Sequence, residues 1–304
     1  MITASYRPFI GVFRALRHHY LIIGLYVGII AWLDIQYHLE KVNFPIALVV
    51  APATFIGLLL GFRANSSYGR WWEARILWGA IVNDSRTWVR QLLQFDQKSN
   101  PTSQDPVDDG IRQMCLRQSA WCFALCNSLR GQDPEPDLKG LIPPDEIAGL
   151  KTQKNIPNAI LQKQGRELRK LYEEGRLDHY TFVELERTLT RLTNSMGGCE
   201  RIKNTVFPVS YSRMVTLLIY VFVVLLPFGL VNVHAVPLVA TSLCLSIVFL
   251  LIDQIAQFLQ DPFDGHPSDT PMQALSRTIE INIRQMLGDT ELPEPVQPVN
   301  GILW

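Results

Sequence analysis

The sequence predicts an all-α membrane protein with four spanning helices and a cytoplasmic helical domain. Charged residues make up only 18% of its 304 residues, against roughly 25% in an average soluble domain. They are absent from residues 18–33, 44–62 and 214–252. The polar block between the second and third of these segments shows three- and four-residue apolar spacing, and no part of the chain alternates as a strand does.

Charge balance and motif content exclude several classes of function. The 28 Lys and Arg residues match the 28 Asp and Glu residues, so the basic surplus of a nucleic-acid binder is missing. No GxxxxGK[ST], GxSxG, HExxH or GxGxxG motif occurs, so we expect no enzyme and no cofactor. The five cysteines lack CxxC spacing, and we expect no metal site. Cys115, Cys122 and Cys126 fall on one helix face, as buried small hydrophobes would.

The four spans follow from the roughly 20 apolar residues that cross a bilayer. Residues 18–33 form a short first span, and residues 44–62 form the second. The third apolar segment is long enough for two helices, 214–231 and 235–252, with a turn at Asn232–His234. We expect no carboxylate or lysine inside any span, which disfavours proton-coupled transport.

Basic residues flank the spans on one side. They are Arg7, Arg14 and Arg17 before the first span, Arg63, Arg70 and Arg75 after the second, and Arg201, Lys203 and Arg213 before the third. The positive-inside bias therefore predicts that both termini and residues 63–213 lie in the cytoplasm. The predicted domains are 1–62 (N-terminal segment and spans 1–2), 63–213 (cytoplasmic helices), 214–252 (spans 3–4) and 253–304 (C-terminal helix and tail).

The cytoplasmic domain is predicted to consist of helices. The second span continues as one long helix through residues 64–95, because only Gly69 and Gly79 interrupt the pattern. Further helices are expected at 110–130, 159–174 and 179–196, the last one ending at a Gly197–Gly198 break.

One stripe on the second span could line a pore. Thr54, Leu58 and Phe62 lie four residues apart and share a face, and Gly57 and Gly61 form a GxxxG pair suited to close helix packing. Several copies packed through these glycines would bring the stripe to a common axis, where apolar rings gate by wetting. Ordinary packing within one subunit is the alternative that the pattern leaves open.

The motif Arg70-Trp71-Trp72 follows this span. It suits either an interfacial aromatic belt with basic flanks or a rigid junction that couples the span to the cytoplasmic helices.

These and other landmarks give the chain a resemblance to the bestrophin family of ion channels, above all its short bacterial members. The landmarks are segments 61–63, 67–75, 78–79, 197–201 and 261–263, with Pro208 and Tyr211. They cover nearly the whole chain and keep their order.

The resemblance implies a homopentamer around one central pore in a bacterial inner membrane. Its partners would be further copies of the chain, monovalent ions and the lipid bilayer, with chloride slightly favoured over sodium and potassium. Channels of this family have a narrow part of the pore, the neck, and the resemblance assigns its lining residues to Thr54, Leu58 and Phe62. A second constriction falls near Tyr180, where His179 suggests anion preference when protonated, since imidazoles ordinarily titrate near pH 6.5. A solvent-exposed turn histidine with no effect on the ions is the alternative. A membrane scaffold or signalling protein using residues 63–213, and a secondary transporter, are the alternatives.

The sequence departs from the family pattern at two places, and each departure predicts a functional difference. Thr54 places a hydroxyl where family necks are apolar, so the outer neck should wet more easily. Animal members carry a run of acids that helps hold calcium, whereas the matching segment here has only Asp264 and Asp269. Because calcium takes six to eight oxygen ligands, we expect no direct calcium gating.

Overall fold

The computed structural model describes residues 7–37, 45–96, 107–205, 208–231, 233–299 and 301–303. Across these residues the regular structure is helical, apart from two isolated β-bridges. The helices are α1 (Arg7–Tyr37), α2 (Ile46–Phe95), α3 (Asp109–Arg130), α4 (Glu135–Leu138), α5 (Pro144–Leu150), α6 (Ile156–Glu173), α7 (His179–Asn204), α8 (Val209–Leu225), α9 (Ala235–Gln260) and α10 (Met272–Met286). The predicted all-α class is confirmed.

Four helices are long and apolar enough to cross a membrane. They are Leu16–Tyr37, Ala47–Phe95, Val209–Gly229 and Ala235–Gln260, which confirms the four predicted spans. The predicted start of the second span at Phe44 and the turn residue Asn232 lie outside the described residues.

The chain forms two compact units. One comprises Ile2–Trp71 and Thr205–Pro262, and its described helices α1, α2, α8 and α9 share one apolar core. That core includes Val27, Ile56 and Ile219, all of which are buried. Because lipid tails are as apolar as these side chains, van der Waals packing rather than removal from water stabilises the contacts among such helices.

The other unit comprises Trp72–Asn204 and Phe263–Trp304, and α3 lies at its centre against α6, α7 and α10. Asp108 caps the start of α3, and left-handed Gly131 ends it. Burial raises the pKa of the Cys115 and Cys122 thiols to about 12 and that of Cys126 to about 11. All three are buried, so their prediction as core hydrophobes is confirmed.

The predicted helix end at Gly197–Gly198 is wrong, because α7 continues to Asn204. A Cβ atom at Gly198 would lie 2.8 Å from the Leu77 Cδ1 atom. A larger residue here would therefore require the Leu77 side chain to shift, and this close contact accompanies a glycine whose helix propensity is about 1 kcal/mol below that of alanine.

Candidate functional site

Helix α2 is one uninterrupted helix of 50 residues, which confirms the predicted continuation of the second span. Its buried side chains in the membrane-spanning unit are Val49, Ile56, Leu60, Arg63 and Ser67. Steps of three, four and seven residues keep these positions on one face of the helix. This face fixes which side of α2 is turned away from the core of the unit.

The three predicted neck residues share the exposed side of α2. Leu58 is 58% exposed and Phe62 is 60% exposed, whereas Leu60, between them in sequence, is 1% exposed. Thr54 is exposed as well. The fold therefore brings Thr54, Leu58 and Phe62 into one row on a surface that the chain itself leaves uncovered.

Gly57 and Gly61 lie next to this row and are also exposed. A Cβ atom built at either glycine would meet no atom within 4 Å among the described residues. The pair therefore mediates no close packing within the described part of this chain. Its role in packing between copies stays a prediction.

The Arg70-Trp71-Trp72 motif lies within α2, and Arg70 is held in place. Arg70 Nε donates a 2.8 Å hydrogen bond to the carbonyl oxygen of Gln260, and Nη1 donates a 2.6 Å bond to that of Thr205. The Trp71 ring centroid lies 5.7 Å from that of Tyr68, whereas Trp72 is exposed. Arg70 thus ties α2 to the end of α9, and the junction role of the motif stays a prediction.

The predicted aperture residues lie at the start of α7. Asp178 caps this helix, since its Oδ1 atom accepts hydrogen bonds of 2.9 Å from the Thr181 N–H and 2.7 Å from the Tyr180 N–H. The bond from Thr181 lowers the pKa of Asp178 below its ordinary value, and the bond from Tyr180 adds to this effect. His179 is exposed, and Tyr180 is 84% exposed.

The turn before these residues is anchored by an ion-pair network. Arg176 donates hydrogen bonds of 2.9 Å from Nε and 2.6 Å from Nη2 to the two carboxylate oxygens of Asp96, and one of 3.1 Å from Nη1 to Asp108. The bonds to Asp96 raise the pKa of Arg176, so its charge is permanent. The network holds in place the turn that precedes His179 and Tyr180.

The acids of the segment that matches the calcium-binding run have protein partners. Asp264 forms an ion pair with Lys203. Asp269 is buried, and its Oδ2 atom accepts hydrogen bonds of 2.7 Å from the Gly265 N–H and 2.9 Å from the His266 N–H. Burial raises the pKa of Asp269 to about 6. The described ranges hold no group of three or more His, Cys, Asp or Glu residues that could bind a metal ion.

An ion pair that the sequence did not reveal lies beside the predicted neck. Arg63 and Asp253 are paired, with side chains 2% and 5% exposed. Asp253 directly follows the predicted end of the fourth span at Ile252, and α9 continues past it to Gln260. Arg63 makes this burial possible, since a paired charge costs far less to bury than a lone one. The signal available in the sequence was one arginine directly after the neck stripe and one acid directly after the last apolar run.

Comparisons with known proteins point to one family over most of the chain. The family model for bacterial and fungal bestrophin proteins matches residues 10–285. A voltage-dependent anion channel-forming protein of Ralstonia nicotianae, RSc3414, is 32% identical over 86% of this chain and 82% of its own. The Escherichia coli K12 protein YneE, of the same description, is 29% identical over 83% and 82%. A crystal structure of a bacterial bestrophin homologue from Klebsiella pneumoniae has a TM-score of 0.83 and 31% identity, over 91% of this chain and all of that one.

Proposed function

This chain belongs to the bacterial and fungal bestrophin family, and from that premise we propose that five copies surround one pore that conducts small monovalent ions passively. The family is one of membrane channels and not of enzymes, and the four apolar helices make the chain a multi-pass membrane protein. The observation that carries the proposal is the exposed row of Thr54, Leu58 and Phe62 on α2, opposite the buried face of that helix.

The neck of the proposed pore is this row. Exposed apolar side chains on a membrane helix contact either lipid or another copy of the protein. Gly57 and Gly61 offer a small-residue surface on which the α2 helix of a second copy can pack closely. Packing through these glycines in a ring would turn Thr54, Leu58 and Phe62 toward a shared axis. Ions would pass this apolar constriction when it is wetted.

The second constriction of the proposed pore is a ring of Tyr180 side chains, with His179 beside each. The exposure of Tyr180 and the anchored turn before it support this assignment. An exposed side chain that projects from a rigid turn can narrow the pore without closing it.

Anions are the proposed cargo, with chloride slightly favoured over sodium and potassium. The similar proteins from Ralstonia nicotianae and Escherichia coli are described as voltage-dependent anion channel-forming proteins. A slight preference suits the neck, because its three positions carry no charge. Arg63, the charged residue next to it, is buried and neutralised by Asp253.

The proposed location is a bacterial inner membrane, with both termini in the cytoplasm. The basic residues next to the spans support this orientation through the positive-inside bias. In the proposed arrangement residues 1–62 and 214–252 carry the membrane segments. Residues 63–213 and 253–304 then supply the cytoplasmic vestibule.

Reconstitution of the purified protein into planar bilayers tests the function. We expect stepwise single-channel currents that need no coupling ion, from particles with the mass of five chains. Under a potassium chloride gradient the reversal potential should lie between zero and the equilibrium potential of chloride. A scaffold would give no flux, and a transporter would give saturable flux coupled to a second ion; either result would refute the channel.

A further inference from the structure

The buried pair of Arg63 and Asp253 lies beside the proposed neck. Arg63 directly follows Phe62 on α2, and its Nη1 atom donates a hydrogen bond to the Asp253 Oδ1 atom on α9. Charged side chains are almost never fully buried unless they are paired, and a buried pair is weak evidence for stability. The pair therefore calls for an explanation beyond general packing.

The Asp253 carboxylate joins three helices. Besides Arg63 of α2, it accepts a 2.9 Å hydrogen bond at Oδ2 from Gln257 Nε2 of α9, and Thr216 Oγ1 of α8 lies 3.3 Å from the same oxygen. The Arg63 Nε atom is buried without a hydrogen-bond partner among the described residues. An incompletely bonded buried pair adds little stability, and the best-attested use of such pairs is to fix register.

Arg70 supplies a second attachment between the same two helices. Arg63 bonds to position 253 and Arg70 bonds to position 260, so both contacts join residues 190 apart in sequence. The helices α2 and α9 therefore run parallel and keep one register over seven residues, about 10.5 Å along the axis. Two attachments at this spacing oppose both sliding and rotation of α2.

The rotation of α2 decides where Phe62 points. Neighbouring residues on an α-helix are about 100° apart around its axis. The orientation that buries Arg63 thus also sets the direction of Phe62, which is 60% exposed. Resting on the proposed function, we propose that the Arg63–Asp253 pair is a positioning device that holds α2 in the rotation that points Phe62 into the ion path.

The rate at which a charged methanethiosulfonate reagent modifies Phe62→Cys reports this rotation. The background is Cys244→Ser, because Cys244 is the exposed cysteine and the other four are buried. Asp253→Asn keeps the size of the side chain but removes its charge. We expect the modification rate to fall about tenfold or more, because unpaired Arg63 turns toward water. Asp253→Glu, which keeps the charge, should restore most of the rate.

A merely structural pair gives a different result. Asp253→Asn would then lower the melting temperature and leave the modification rate of Phe62→Cys unchanged, which would overturn the proposal. If Asp253→Asn fails to assemble, Thr216→Val removes one contact of the same carboxylate. That variant should slow modification about threefold, and an unchanged rate would again overturn the proposal.

The positioning role and the channel can fail separately. Absence of current from the wild-type protein refutes the proposed channel. A conducting wild type with unaltered modification in both variants refutes only the positioning role. Modification of Phe62→Cys can also be followed by mass spectrometry of the assembled protein, which needs no current.

Discussion

The Thr54 hydroxyl donates a 3.0 Å hydrogen bond to the carbonyl oxygen of Val50, one turn earlier on α2. The bond uses the hydroxyl proton, but the oxygen can still accept a hydrogen bond from water. We predict that Thr54→Val, which removes the hydroxyl at nearly constant size, lowers single-channel conductance about two- to tenfold, since one such hydrogen bond contributes about 0.5–1.5 kcal/mol.

Two further variants separate polarity from size at this position. Thr54→Ser keeps the hydroxyl and should conduct like the wild type, whereas Thr54→Ile should conduct no better than Thr54→Val. Conductance of Thr54→Ile equal to that of the wild type would show that the hydroxyl does not ease wetting of the outer neck.

Ion selectivity should depend on pH through His179. Five protonated imidazoles at a narrow exit attract anions and repel cations, so the chloride-to-potassium permeability ratio should rise from pH 8 to pH 5.5. The lowered pKa of Asp178 keeps that neighbouring carboxylate ionised across this range. The measurement is the reversal potential under a salt gradient at both pH values.

The control for this prediction is His179→Gln. Burial raises the pKa of Asp269 to about 6, so a pH response of the wild type does not by itself identify the histidine. His179→Gln should give one permeability ratio at both pH values. A wild-type ratio that is the same at pH 5.5 and pH 8 would rule out a role for the imidazole.

Calcium should not open the channel directly. The Asp264 carboxylate is paired with Lys203, and the Asp269 carboxylate is buried and bonded to its own loop. Two acids with these contacts supply few of the six to eight oxygen ligands that calcium takes. Currents should be equal in calcium and in excess chelator. Currents that vanish with chelator and return with calcium would contradict this.

Stability should depend on pH through Asp269. Burial raises its pKa from 3.8 to about 6, so the folded state favours the protonated form. This contribution is complete below pH 3.8 and is lost as the pH rises through about 6. Asp269→Asn mimics the protonated group and should gain about 2 kcal/mol relative to the wild type between pH 4.5 and pH 7.5.

Thermal unfolding in detergent at those two pH values measures this effect. Asp145→Asn is the matched control, since Asp145 is an exposed acid of the same unit. Its pH profile should parallel that of the wild type. If the stability of the wild type and that of Asp269→Asn change with pH in the same way, the ionised Asp269 carboxylate does not destabilise the folded protein.

Local pattern was sufficient to predict the longer helices and the shared face of Thr54, Leu58 and Phe62 on α2, but not the short helices α4 and α5. The four apolar segments and the uninterrupted spacing after Phe62 contain that information within a few turns of chain. The predicted end of α7 failed because it depended on a distant partner, since Leu77 packs against Gly198 and the helix continues to Asn204. The burial of Asp253 could not be predicted for a similar reason, because it depends on Arg63, which lies 190 residues away in sequence.

The hydrogen bonds of the site could not be predicted from the sequence either. The sequence places Thr54 on the stripe but does not tell whether its hydroxyl bonds to Val50 or to water. It places Asp178 next to His179, but only the folded turn shows that this carboxylate caps α7. Side-chain partners depend on geometry at the scale of a few ångströms, which spacing along the chain does not determine.

Cysteine accessibility along α2 tests the central claim most directly. In the Cys244→Ser background, a charged methanethiosulfonate reagent should alter the current through Leu58→Cys and leave that through Leu60→Cys unchanged. The reason is that Leu58 is 58% exposed and Leu60 is 1% exposed on the opposite face. An unaltered current through Leu58→Cys, or modification of Leu60→Cys instead, would contradict an ion path lined by this face of α2.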